Sequence, residues 1–272
     1  MKWTFVGIAA SAFLLGNGTA SAAERITLTG SSTIAPVMAE IGKRYEKLHP
    51  EVRIDVQTGG SSRGINDVRQ GLADIGMASR ALKPEESDVT PITLAYDGVG
   101  FMVHADNPIA DLTAAQIVDI YTGKTTTWSA FGGPDKNIDV ISRADGRSEI
   151  ELFLEHFKLK PDQIKAAVIT GETEHTIKAV ASDPYAIAYG SIGAAEYSVG
   201  QGVTIKLLPL DGIPASRETV AARTFPIVRP LNLVLAKKPT GLVKDFIAFA
   251  TSEDVRDIVE SFYYVLPKKP GS

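Results

Sequence analysis

Apolar positions return along this chain in two rhythms. Residues 26–30 form a short strand, after which Val37, Ile41, Tyr45 and Leu48 recur at the spacing of a helix with one buried face. Val52, Ile54 and Val56 then alternate with Arg53 and Asp55, as in a half-buried strand. Thr58-Gly59-Gly60-Ser61-Ser62 follows as a loop, and Ile65, Val68 and Leu72 mark a second short helix. The same reading predicts strands at 73–78, 98–105 and 138–142 and a helix at 113–121. Ile150, Phe153, Leu154 and Phe157 mark a further helix, and near the C-terminus come a strand at 232–236 and a helix at 243–251. Strands alternating with helices in this way predict an α/β fold with mainly parallel strands.

The first residues break the pattern. Lys2 precedes an apolar stretch over 3–15 that ends in Ala20-Ser21-Ala22, the arrangement of a secretory signal peptide cleaved after Ala22. The stretch is shorter than the roughly 20 residues that span a bilayer. Removing it leaves 27 basic against 32 acidic residues, a formal charge of −5, which argues against nucleic acid as a partner. Cysteine is absent, so disulfides, thiolate metal sites, a cysteine nucleophile and an acylated-cysteine anchor are excluded. A chain of about 250 mature residues suits one large domain or two of common size. The returning strand near the C-terminus favours two lobes joined by a double crossover, with the apolar stretches at 101–103 and 231–235 as hinge strands. The expected division is 23–103 plus 229–272 for one lobe and 104–228 for the other.

Three loops that follow strands are rich in Gly, Ser or Arg: Gly30-Ser31-Ser32-Thr33, Gly59-Gly60-Ser61-Ser62-Arg63 and Arg143-Ala144-Asp145-Gly146-Arg147-Ser148. Each sets backbone N–H groups and hydroxyls at a helix N-terminus, where unpaired donors and the positive end of the dipole attract an anion. Any one of them alone reads better as ordinary capping. Three together, with Arg143 and Arg147 in the last, point to an oxyanion, because the guanidinium fork matches two oxygens of a phosphate-like group. Asp145 is the residue expected to hold the arginine in place.

At these loops the sequence resembles the periplasmic phosphate-binding proteins of ABC-type phosphate uptake systems, over about 26–267. The likeness rests on Thr29-Gly30-Ser31-Ser32-Thr33 with Pro36, Gly59-Gly60-Ser61-Ser62, and Ala73-Asp74-Ile75-Gly76-Met77-Ala78-Ser79-Arg80. It continues through Ile120-Tyr121-Thr122-Gly123-Lys124 to Trp128, Arg143-Ala144-Asp145-Gly146, Ala186-Ile187-Ala188-Tyr189 and Tyr263-Tyr264-Val265-Leu266-Pro267. The resemblance implies a two-lobe type II periplasmic binding fold, with mixed, mostly parallel sheets flanked by helices and a ligand cleft between the lobes. It implies donors at Ser32 and Thr33, at Ser61 or Ser62, and at Arg143, Gly146 and Ser148, with Arg147 beside them and Ser79 at the end of the fourth strand. It implies capture of inorganic phosphate by a periplasmic monomer, delivery to an ABC transporter permease, and no cofactor or metal.

The sequence departs from that pattern in two places. Where many relatives read Gly-Ser-Gly-Thr, this chain reads Gly146-Arg147-Ser148-Glu149, and an aspartate that some relatives carry at the place of Ser79 is absent. Such an acceptor separates protonated phosphate from fully ionised sulfate. Glu149 either supplies the acceptor or pairs with Arg147 across the first helical turn, and the pairing is the expectation taken. Another tetrahedral oxyanion (sulfate, molybdate or tungstate) and a non-transport sensor or adhesion role are the competing readings. Catalysis is disfavoured: of His49, His104, His156 and His175, the first ends a helix, His156 lies in the helix after the arginine loop and His175 in a charged stretch, a surface or helix-terminal role is expected for each, and neither a Gly-x-Ser-x-Gly elbow nor a His-Glu-x-x-His pattern occurs.

Overall fold

A computed structural model describes residues 23–268, so the expected signal peptide lies outside the described residues. In chain order the elements are β1 (Glu24–Gly30), α1 (Ala35–Leu48), β2 (Val52–Thr58), α2 (Ser61–Gln70), β3 (Ile75–Ala78) and β4 (Thr90–His104). They continue with α3 (Ala114–Tyr121), β5 (Asp139–Arg143), α4 (Ser148–Phe157), β6 (Val168–Thr170), α5 (Thr173–Ala181) and β7 (Ala186–Ser191). The chain then forms α6 (Ile192–Gly200), β8 (Ile205–Leu208), α7 (Arg217–Ala221), β9 (Val228–Leu235), α8 (Gly241–Ala250) and α9 (Arg256–Ser261).

The strands run in the order β2-β1-β3-β9-β4-β7-β5-β6, with β8 also paired to β4. Pairings divide evenly, four parallel and four antiparallel, so the expectation of mostly parallel strands is corrected to a mixed sheet. The reason is β4 and β9, which run antiparallel to all their neighbours. Helices cover both faces, which is why β3 and β7 are buried along their whole length.

β4 ties the sheet together. From Thr90 to Gly98 it pairs with β9, and from Val99 to His104 it pairs with β7 and β8. The first half of the strand was not legible in sequence, because Pro91 and the polar positions up to Asp97 obscure its alternation. The stretches expected as hinges, 101–103 and 231–235, lie within β4 and β9, but the exchange of partners occurs upstream, between Gly98 and Val99. Glycine fits closely there: a Cβ on Gly98 would stand 2.5 Å from Ile192 Cδ1 of α6 and 2.9 Å from Val220 Cγ2, so those side chains would have to shift. Two main cores sit on either side of this exchange. One gathers Ile26, Leu28, Met38, Ile75, Leu233 and Phe246; the other gathers Phe101, Tyr121, Trp128, Phe153, Tyr189 and Leu208.

Phe153 is the centre of the second core, stacked on Tyr189 at 4.4 Å between ring centroids and 4.7 Å from the Tyr121 ring. It is fully buried. Replacing it with alanine removes a large apolar volume that rigid neighbours fill only in part, so Phe153→Ala should cost about 3–5 kcal/mol in urea unfolding. A loss below about 1 kcal/mol would contradict this packing.

Candidate functional site

The loops that sequence picked out meet where the two cores adjoin. Each follows a strand and opens a helix: Ser31, Ser32 and Thr33 precede α1, Ser61 begins α2, and Ser148 begins α4. A fourth helix start, Thr173 at the head of α5, joins them. Seven hydroxyls, from Ser31, Ser32, Thr33, Ser61, Ser79, Ser148 and Thr173, lie on residues that are all buried. Four helix N-termini therefore aim their positive ends at one cluster of hydroxyl donors.

The hydroxyls form a continuous chain. Ser31 Oγ donates to Ser79 Oγ at 2.8 Å, Ser79 Oγ lies 2.6 Å from Ser148 Oγ, and Ser148 Oγ donates to Glu149 Oε2 at 3.3 Å. Ser61 Oγ accepts the Ser79 N–H at 3.1 Å, and Ser32 Oγ lies 3.1 Å from Thr173 Oγ1. Thr33 Oγ1 donates to Glu149 Oε1 at 2.9 Å. The loop carrying Thr33 is held from behind by Tyr264, whose hydroxyl donates to the Thr33 carbonyl at 2.8 Å. Ser79 follows the third strand, not the fourth.

Arg143 is buried beside this cluster, but its fork is engaged with the turn from β6 to α5. Nη1 donates to the Glu172 carbonyl at 2.7 Å and to the hydroxyls of Thr170 and Thr176, and Nη2 donates to the Gly171 carbonyl at 3.1 Å. Asp145 was expected to hold this arginine; it is exposed in the turn made by Gly146, and backbone carbonyls do that work. Burial lowers the pKa of Arg143, and Glu149, 3.8 Å away, only partly opposes it. Arg143 is thus the less compensated of the buried cations, a source of positive potential next to the hydroxyls.

The remaining predicted residues lie at the rim. The Ser62 N–H donates to the Gly146 carbonyl at 3.4 Å, and Ser62 Oγ donates to Glu151 Oε1 at 2.9 Å. Gly60 sits opposite: a Cβ there would stand 2.6 Å from Gly146 O, so glycine is what lets the second and third loops touch. Arg147 reaches Glu172 at 3.1 Å, on the side of the β6–α5 turn. The expected Glu149–Arg147 pair is therefore corrected. At the second position of α4 the Glu149 side chain points inward, and it pairs with Arg229 at 3.1 Å while Arg147 faces the other way.

Sequence reasoning missed Arg229 and Asp97. Both are buried, on β9 and β4, and they pair at 2.9 Å. The available signal was a single charge inside each of two apolar strands, Ile227-Val228-Arg229-Pro230-Leu231 and Leu94-Ala95-Tyr96-Asp97-Gly98-Val99, since a buried charge needs a partner.

With this geometry in view, comparison with known proteins places the fold. A family model described as a PBP superfamily domain matches residues 17–254. The chain belongs to the PBP superfamily. Among solved members it is similar to a Clostridium perfringens protein assigned as the substrate-binding component of a phosphate ABC transporter, with bound phosphate. That likeness has TM-score 0.83 and 33% identity and covers 90% of this chain and 100% of that one. It is also similar to an ABC-type phosphate transport receptor from Vibrio cholerae, with TM-score 0.72 and 28% identity over 89% of this chain and 100% of the other. The phosphate-binding protein PstS of Bacillus subtilis is 26% identical over 243 residues, 88% of this chain and 79% of that protein. The architecture is that of the type II periplasmic binding proteins, a mixed α/β sheet flanked by helices.

Within this member of the superfamily, Glu149 carries the clearest pH signature. Burial pushes its pKa up, but Arg229 and then Arg143, with hydrogen bonds from its own backbone and Thr33, outweigh burial and hold it at about 2 against an ordinary 4.5. A carboxyl depressed in the fold contributes stability that is fully present above the unfolded value and is lost as pH falls through the folded one. The melting-temperature gap between wild type and Glu149→Gln should therefore narrow between pH 5 and pH 2, and a constant gap across that range would refute the ionised pair.

Proposed function

We propose that this protein captures inorganic phosphate in the periplasm and delivers it to the permease of an ABC transporter, working as a monomer by reversible binding and without chemistry on the ligand. The observation that carries this reading is the buried cluster of hydroxyls at four helix N-termini beside an incompletely compensated arginine. A tetrahedral oxyanion offers such donors four acceptors at once. The phosphate-bound Clostridium relative and the PstS relatives support the choice of phosphate among oxyanions.

On this reading Ser32, Thr33, Ser61, Ser79 and Ser148 donate to the anion, Arg143 supplies charge, and Ser62, Gly146 and Arg147 form the rim where the loops close. Glu149 is the acceptor that the position of Ser79 lacks. An ionised carboxylate beside a bound anion is tolerated when the ligand carries a proton to share and opposed when it carries none, so hydrogen phosphate is favoured over sulfate. Residues 23–98 with 229–268 and residues 99–228 act as the two lobes, the boundary moved from residue 103 because residues 99–103 pair with β7 and β8, and they rotate where β4 exchanges partners at Gly98 and Val99 and where the chain enters β9. A ligand held by both lobes binds the closed form better and shifts the population toward it.

Calorimetric titration of the ligand-stripped mature protein with phosphate, sulfate, molybdate and tungstate at two pH values tests this directly. One-to-one phosphate binding without sulfate binding is expected, and failure to bind phosphate overturns the reading. Arg143→Ala should weaken phosphate binding in the same titration, because it removes the buried positive charge beside the hydroxyls and the donors that hold the β6–α5 turn leading into Thr173; an unchanged affinity would take Arg143 out of the site. Glu149→Gln should lower the phosphate-to-sulfate preference. Gly60→Ala, which pushes the Gly146 loop away, should weaken phosphate binding while leaving far-ultraviolet circular dichroism unchanged.

A further inference from the structure

Arg229 has a set of contacts that a structural ion pair does not require. Its Nε and Nη2 donate to Asp97 Oδ2 at 3.2 and 2.9 Å, which fixes one edge of the guanidinium against β4. The other edge faces the hydroxyl cluster. Nη1 lies 3.0 Å from Ser148 Oγ, 3.1 Å from Glu149 Oε1, and 3.4 Å from both Ser79 Oγ and the Ser79 carbonyl, while Nη2 reaches Thr33 Oγ1 at 3.2 Å. One nitrogen with two protons is thus within reach of four acceptors, more than it can serve at good geometry. Three of the residues it touches, Thr33, Ser79 and Ser148, are those assigned above to the anion.

The two arginines of the cluster are deployed differently. Arg143 has spent its Nη1 on Glu172, Thr170 and Thr176 and directs Nη2 to the Gly171 carbonyl. Arg229 keeps a donor edge turned toward the hydroxyls, and Asp97 orients it there without occupying that edge. Its position on β9, beside the point where β4 changes partners, also lets it touch Thr33 from the loop before α1 and Ser148 and Glu149 from the start of α4.

We propose that Arg229 is a ligand-binding arginine of this cleft, donating through Nη1 and Nη2 to a bound oxyanion from the side opposite Arg143, with Asp97 as its positioning residue. This rests on the oxyanion reading given above. A bound oxyanion replaces the Ser148 and Ser79 hydroxyl oxygens as the acceptor of Nη1 and leaves those hydroxyls free to donate to it, and because the guanidinium bridges groups from both lobes, its contacts are complete only in the closed form. A charged donor fixed in this way at the crossover couples occupancy to the closed state.

The test begins with wild-type protein titrated with inorganic phosphate and crystallised with it. Phosphate oxygens within 3.2 Å of Arg229 Nη1 or Nη2 are expected. A bound phosphate with no oxygen within hydrogen-bond reach of Arg229 overturns the assignment while leaving phosphate capture standing, whereas wild type that binds no phosphate overturns both. Arg229→Lys keeps the charge and loses the fork, and should weaken phosphate binding by roughly 10- to 100-fold at 25 °C with its circular dichroism unchanged. A folded Arg229→Lys protein with wild-type affinity also overturns the assignment, and should that variant not fold, the phosphate complex of the wild type decides.

Discussion

Two arginines and two carboxylates, Arg143, Arg229, Asp97 and Glu149, are buried together where the two cores meet. Isolated ions in such a place are costly, and removing one partner of a buried pair leaves its counterpart uncompensated. The surrounding structure answers that constraint piece by piece. Asp97 takes one edge of Arg229, Glu149 sits between Arg229 and Arg143, and backbone carbonyls of the β6–α5 turn take the fork of Arg143. Burial lowers the pKa of Arg229 too, but Glu149 and Asp97 more than offset it, in contrast to Arg143.

The sheet topology makes this meeting of charges possible. Asp97 lies on β4 immediately before the strand exchanges β9 for β7 and β8, and Arg229 lies opposite, in register with it on β9. Antiparallel pairing at that point brings together residues 132 positions apart in sequence. The helix starts that frame the hydroxyl cluster come from both sides of the exchange, and the contacts Thr33–Glu149, Ser32–Thr173 and Ser79–Ser148 stitch them across it. Outside the cluster, Glu151 of α4 is met by Arg80 at 2.7 Å and Lys83 at 3.1 Å, so the same two sets of loops are also joined at the rim.

The alternation of strands and helices was plain in sequence because each amphipathic element repeats its own apolar period, and that repeat is local. The three polar loops were legible for a similar reason: Ser, Thr and Gly after an apolar strand and before a helix mark a helix start wherever they occur. The partnerships within the site were not. Asp145 looked like the support of Arg143 because it is two residues away, yet the turn at Gly146 sends it to solvent. Arg147 looked like the partner of Glu149 because both open one helix, yet they face opposite ways. Arg229 and Asp97 carried a visible anomaly, a charge in an apolar strand, whose meaning depended on each other.

The sequence by itself determined the element types, the α/β class, the position of the polar loops and the presence of Arg143 beside them, since these follow from hydrophobic period and local capping chemistry. The tertiary structure alone decided the mixed strand directions, the convergence of four helix starts, the inward turn of Glu149 and the pairing of Arg229 with Asp97. The physical reason is range: period and capping are set by neighbours a few residues apart, whereas a buried charge is assigned its partner by whichever distant strand the fold brings against it.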